Sequence, residues 1–236
     1  MNIILNLCSI FKNKTNNYYD NPFSSDWRAD KKFKNNNIKK YIKSLIIILI
    51  FILYFIKLYP LDNLRKFFSV LFCFVFSSRI LYQLFFFWNR RIPLVELILE
   101  AGFIVPLSLY TLAIGTINSK LKLIDVFWIL LFFLGTFLNF YPEYKRYQWK
   151  LSNKGLYTKS LFNYARQINY TGEILSFIGY AGLTGSYYNM WIPLLMGFGM
   201  IVWSSPELEW YLERKYKEEF KIWKNKVRYN FIPYVI

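Results

Sequence analysis

Apolar residues run along the chain in long blocks, and polar residues collect between them. The blocks lie at about 44–60, 67–88, 94–117 and 121–140. Each is close to the ~20 residues a helix needs to cross a hydrocarbon core of about 30 Å. A tighter apolar hairpin follows at about 172–205, with its turn near Thr184-Gly185-Ser186. Its arms are short for two full crossings, which predicts thin, tilted or partly re-entrant segments. The pattern predicts an all-α fold, a polytopic membrane helix bundle of about six transmembrane helices.

Composition agrees with the pattern. The chain is 55% hydrophobic and 22% aromatic, outside the usual soluble range. Its formal net charge is +16, and the positive residues sit outside the blocks. Lys12, Lys14, Arg28, Lys31, Lys32, Lys34, Lys39, Lys40 and Lys43 precede the first block. Arg90 and Arg91 separate the second from the third, and Lys145, Arg146, Lys150, Lys154 and Lys159 follow the fourth. The segment after 213 is basic again. An even number of spans puts all of these on one side, and the positive-inside rule makes that side the cytosol. Arg65, Lys66, Lys120 and Lys122 face the other way and are outnumbered. Topology therefore accounts for the basic surplus, and no interleaved basic and aromatic pattern asks for nucleic acid.

Residues 1–43 read as a basic, Asn/Lys-rich cytosolic arm, disordered or lying on the surface. Residues 44–236 read as the transmembrane domain. The opening "MNIILNLCSIF" has no basic region before it and no small-residue cleavage site, so it does not read as a signal peptide. Cys8 and Cys73 give no disulfide framework. Histidine is absent, which removes His–metal sites, a zinc centre and a Ser–His–Asp triad. No metal is expected.

The polar exceptions inside the blocks carry the chemistry. Glu96 and Glu100 in "IPLVELILEAGFIVPLSLY" are four apart, on one helical face. A carboxylate inside a span is expensive and usually has a partner or a function. Glu96 reads equally as a partner for Arg90 or Arg91. Glu100 lies deeper and is a candidate to polarise or protonate a substrate. Asn139, Glu143, Arg146 and Lys150 recur at steps of four, three and four, one stripe leaving the fourth block if Pro142 is tolerated. Taken alone, that stripe reads as a solvated juxtamembrane face. In "YARQINYTGEILSF", Arg166, Asn169, Tyr170 and Glu173 sit at i, i+3, i+4 and i+7, again one helical face. The two stripes flank one cytosolic loop and are expected to converge at the mouth of the bundle. Amides and carboxylates hydrogen-bond sugar hydroxyls and a carboxamide, while Arg and Lys neutralise phosphates. The mixed set suits a dinucleotide better than a plain anion. "GFGMIV" at 197–202 lacks the strand and soluble helix of a dinucleotide fingerprint, so Gly197 and Gly199 are expected to serve close helix packing.

"NKGLYTKSLFNYARQINYTGEILSFIGYAGLTGS" resembles the C-terminal core of the membrane steroid 5-alpha-reductase family, closest to its poorly characterised branch. "PELEWYLERKYKEEFKIWKNKVRYNFIPYV" is similar to the family's ending, and "VELILEAGFIVPLSL" is similar to the same branch. The resemblance covers roughly 79–236, is specific from 139 onward, and makes 139–236 the cofactor-binding core. It implies a helical membrane enzyme that binds NADPH from the cytosol. Such an enzyme reduces a carbon–carbon double bond conjugated to a carbonyl in a hydrophobic small molecule. By resemblance, Asn169 and Glu173 hold the nicotinamide end. Asn139, Glu143 and Lys150 contact sugars and phosphates. Tyr211 faces the cofactor, and Arg166 matches the arginine of an Arg-His-x-Asn-Tyr step that Tyr170 completes. Gln167 stands where the branch has His, which removes a titrating group. Glu207 and Trp203 replace basic or imidazole side chains of the steroid reductases. The residues that polarise substrate lie in the early spans and do not align, so Glu100, Glu96 and Tyr82 are candidates from the residues alone. The hairpin and "KEEFKIWKNKV" are also similar to isoprenylcysteine and phospholipid methyltransferases, which use S-adenosylmethionine. A non-catalytic membrane protein of the same fold is the third reading. The endoplasmic reticulum, with cytosolic termini, is the expected location.

Overall fold

The computed structural model describes residues 37–87, 105–116 and 120–233. Among the described residues the chain is helical, with no strand. Helix α1 spans Asn37–Leu58 and α2 spans Leu64–Tyr82, continuing through a π-helical turn at Gln83–Phe87. Helix α3 is Val105–Thr116 and α4 is Ile124–Ser152. Helix α5 is Ile168–Leu183, and α6 is Trp191–Gly199. A second π-helical turn, Met200–Ser204, leads into α7, Ser205–Tyr216, and α8 is Glu218–Lys226.

Three helices among the described residues are long and apolar enough to cross a membrane: Ile38–Leu58, Leu64–Phe87 and Ile124–Ser152. Their outer faces are apolar: Leu130, Leu134 and Phe137 on α4 are exposed at steps of four and three. An apolar face on helices of that length suits contact with lipid rather than water. The chain is an integral membrane protein built as an all-α bundle. The hairpin forms where the apolar pattern places it. Helix α5 is 16 residues long, about 24 Å. Thr184 closes the turn by donating to Ala181 O at 2.7 Å and accepting from Asn189 Nδ2 at 2.8 Å. Helix α1 starts earlier than the arm reading allowed. Residues 37–43 are helical, and Lys43 is buried rather than solvated.

Helices α2 and α4 run side by side in the same direction, and α5 runs back against both. The seam between α4 and α5 is set by glycine. A Cβ on Gly172 would lie 2.3 Å from Asn139 N, and one on Gly135 would lie 2.3 Å from Ser176 N. No larger residue fits at that spacing, so the backbones touch. The close-packing role expected of Gly197 and Gly199 is not what the structure shows. A Cβ at Gly197 would meet only Ile174, at an ordinary 3.6 Å, and one at Gly199 would meet nothing within 4 Å. Those glycines face side chains and open space, not another backbone.

The core descends in layers between the three long neighbours. Arg65 at the start of α2 pairs with Asp125 at the start of α4. Next come Phe72 and Phe132, stacked 3.7 Å apart, with Tyr180 edge-on to Phe72 at 5.5 Å. Tyr180 donates its hydroxyl to Ser69 O at 3.0 Å, so the phenol is satisfied without water. Above them Phe76 meets Phe177 edge-on at 5.0 Å. Beyond that ring pair the layers between α2, α4 and α5 turn polar again. A second small core gathers Tyr157, Phe162, Ala165, Ile168, Phe220, Trp223 and Val227, outside the long spans. It folds α7, α8 and the 157–165 segment against the start of α5.

Candidate functional site

The first polar layer joins α2 to α5. Arg79 Nη2 sits 2.8 Å from both carboxylate oxygens of Glu173. Its guanidinium lies over the Phe76 ring, 5.3 Å from the centroid. Arg79 Nε and Nη1 are buried and meet no hydrogen-bond partner among the described residues. One turn nearer the mouth, Gln83 Nε2 donates to Asn139 Oδ1 at 2.7 Å. The π-helical turn that begins at Gln83 widens α2 where this side chain enters, and such turns often mark working sites. Asn139 Nδ2 donates to Asn169 O at 2.9 Å, a contact that the Gly172 seam makes possible. Asn169 Nδ2 donates in turn to Glu143 Oε1 at 3.0 Å. Arg146 pairs with the other oxygen of Glu143 and is half-buried.

Further out the residues become exposed. Lys150 Nζ donates to Gly155 O and, at 2.8 Å, to Tyr216 Oη. Tyr211 accepts from Lys215 Nζ at 2.8 Å. Burial opposes the charge on Lys215, but the Tyr211 and Tyr216 hydroxyls outweigh it, so the pKa of Lys215 is raised. Tyr170 is half-buried on the first turn of α5.

The structure brings Asn139, Glu143, Asn169 and Glu173 together, as the spacing predicts. Pro142 is buried within a continuous α4, so it does not break the stripe. Arg166 does not share their helical face. Helix α5 begins at Ile168, so Arg166 precedes it. Its guanidinium binds Glu209 Oε1 at 2.6–2.9 Å and also reaches Val227 O and Asn230 Oδ1. Backbone bonds from Arg166 N to Tyr229 O and from Gln167 N to Asn230 O fix the same junction at 3.0 and 2.7 Å. The arginine braces the C-terminal segment. Gln167 donates to Ser205 O at 3.2 Å, and its Oε1 is buried with no partner among the described residues. Tyr82 packs among Phe86, Phe87 and Phe140, with centroids 4.5–5.3 Å away, apart from the polar layers. Glu96 and Glu100 lie outside the described residues.

Sequence reasoning missed Arg79 and Gln83. The signal was present: a guanidinium and an amide four apart in the otherwise apolar "FVFSSRILYQLFFF". An ionisable group within a span is a candidate for function on cost alone. No group of three or more Cys, Asp or Glu side chains suited to a metal occurs among the described residues.

A search of curated proteins finds no match. A family model described as 3-oxo-5-alpha-steroid 4-dehydrogenase matches residues 92–236. That range is more than half of the chain. It contains α3 to α8, the glycine seam and the site residues from Asn139 to Tyr211, while Arg79 and Gln83 precede it. By this match, and with the polar layers held within an apolar helical bundle, the chain belongs to the 3-oxo-5-alpha-steroid 4-dehydrogenase family.

Proposed function

We propose that the protein is a membrane-embedded, NADPH-dependent reductase. It would saturate a carbon–carbon double bond conjugated to a carbonyl in a lipid or steroid-like substrate. The observation that carries this reading is the run of buried polar groups from Arg79 and Glu173, through Gln83, Asn139 and Asn169, to Glu143. A purely structural network closes on itself, because each unmade hydrogen bond of a buried group is costly. Here two buried nitrogens of Arg79, Nε and Nη1, meet no partner among the described residues, and the acid beside them is partly exposed. The donor set fits a dinucleotide. Asn139 and Asn169 offer amides, and Glu143 and Glu173 offer carboxylates to ribose hydroxyls and a carboxamide. Lys150, with Arg146, offers positive charge to phosphates at the mouth. In this reading Tyr170 and Tyr211 would flank that mouth, and Arg166 would hold the C-terminal segment against it. The cofactor would supply a hydride, and the protein supplies orientation and electrostatics. Glu100, Glu96 and Tyr82 are the candidates to deliver the proton that completes saturation. The bilayer and a hydrophobic small molecule are the partners of this reading. It needs no metal and no nucleic acid, and places the protein in the endoplasmic reticulum with cytosolic termini.

Thermal unfolding of the protein in lipid nanodiscs tests the reading. A ligand that binds only the folded state raises the midpoint according to its affinity. NADPH is expected to raise it, NADH to raise it less, and S-adenosylmethionine to leave it unchanged. Glu143→Gln keeps an acceptor for Asn169 and removes the charge. The increment due to NADPH, not the absolute midpoint, is expected to shrink in that variant. A rise with S-adenosylmethionine alone would make the protein a methyltransferase. No rise with any of the three would favour a non-catalytic role.

A further inference from the structure

Arg79 has no role in the reading of the sequence, yet it is the innermost polar side chain of the site. It lies one turn deeper along α2 than Gln83, and the Phe76–Phe177 ring pair closes the space beneath it. Glu173 takes Nη2 at 2.8 Å. Nε and Nη1 stay buried with no partner among the described residues, though a guanidinium carries five N–H donors and no acceptor. A buried donor left over beside a partly exposed acid is placed to take an acceptor atom that enters with a ligand.

We propose that Arg79 is a carbonyl-binding residue: its unpaired N–H groups receive a carbonyl oxygen of the ligand that reaches the floor of the site. The inference rests on the NADPH-reductase reading and names the atom bound at its inner end. Its surroundings decide the chemistry. A phosphate is excluded by depth, because Arg146 and Lys150 meet anions first at the mouth. Glu173 already neutralises the guanidinium, so the site as a whole favours a dipolar oxygen over a full anion. Two sources carry that chemistry: the carbonyl of a conjugated enone, and the carboxamide of the nicotinamide ring. For the enone the placement has a consequence for rate. When hydride adds to the β-carbon, the electron pair of the double bond moves through the α-carbon to the carbonyl oxygen. Arg79 would hold that negative oxygen until a proton reaches the α-carbon, which leaves a saturated ketone. Donors already in place for developing charge are among the strongest catalytic devices a site can have. Glu173 acts as a positioning residue that fixes the guanidinium.

Two variants separate this from a structural role. Arg79→Lys keeps a charge beside Glu173 and loses the planar fork. Arg79→Gln keeps a neutral donor beside Glu173, removes the charge and the fork, and leaves that carboxylate in place. Both are assayed in nanodiscs by the midpoint shift with three probes: NADPH, 2′-phospho-ADP-ribose, and a 3-oxo-4-ene steroid added with NADP⁺. If Arg79 holds the substrate carbonyl, affinity for the steroid falls at least tenfold and both cofactor probes bind as in wild type. If it holds the carboxamide, NADPH weakens at least tenfold and 2′-phospho-ADP-ribose does not. Equal binding of all three probes by wild type and both variants would overturn the proposal. So would a uniform loss across all three, which marks a merely structural residue. A wild type that binds the steroid through Arg79 but shows no NADPH shift would sink the reductase reading and leave the carbonyl site standing.

Discussion

Helix α2 carries two buried arginines, and they do different things. Arg65 pairs with Asp125 at one end of the bundle, and both side chains are only 2% exposed. Asp125 also accepts from Lys122 N at 2.6 Å, so the carboxylate ties a loop to two helix starts. Arg79 pairs with Glu173 towards the other end, where the acid is 13% exposed. The first pair is sealed from solvent on both sides, and the second is reached on the side of its acid. Burying a pair costs desolvation in either case, so neither is strong evidence of stability by itself. The difference lies in what each would lose or gain from a ligand. No ligand can reach a sealed pair, whereas a pair with a partly exposed acid can meet one.

Breaking the sealed pair should have the largest effect. Asp125→Ala leaves Arg65 buried and uncompensated, at a cost of about 3–5 kcal/mol. The unfolding midpoint should fall while the increment given by NADPH in the surviving protein is unchanged. Gly172→Ala comes next. Its methyl would lie 2.3 Å from Asn139 N, so α5 must move off α4. Overpacking of this kind costs about 1–3 kcal/mol. Unlike the first variant, it should also reduce the NADPH increment, because Asn169 and Glu173 move with the helix. Glu209→Gln keeps the shape of the Arg166 contact and removes its charge. The loss should be about 1 kcal/mol, read as earlier proteolysis of the C-terminal segment. Lys221→Ala removes an exposed partner of Glu218 and should leave midpoint and binding unchanged.

The same contrast shows what could be read from the chain. The long spans were legible because lipid demands an unbroken apolar run. Asn139, Glu143, Asn169 and Glu173 were legible because helical spacing alone puts each pair on one face. Arg166 was misplaced on that face because the helix starts two residues later, and its true partners lie 43–64 residues further along the chain. Arg79 was passed over because its carboxylate is 94 residues away. No local rule joins a charge on one helix to a charge on another so far along the chain. The glycines failed for a related reason. Whether a glycine serves close approach depends on what the facing helix presents. Gly172 meets a backbone and Gly197 meets an isoleucine, and nothing beside them in sequence distinguishes the two.

Hydrogen–deuterium exchange in nanodiscs, with and without NADPH, tests the central claim most directly, because it reads both ends of α2 in one experiment. The account predicts slower exchange at 79–87, 139–150 and 166–173 when NADPH is present, and no change at 64–69 or 122–126. Protection absent from the first three segments, or spread equally to the Arg65 end, would contradict it.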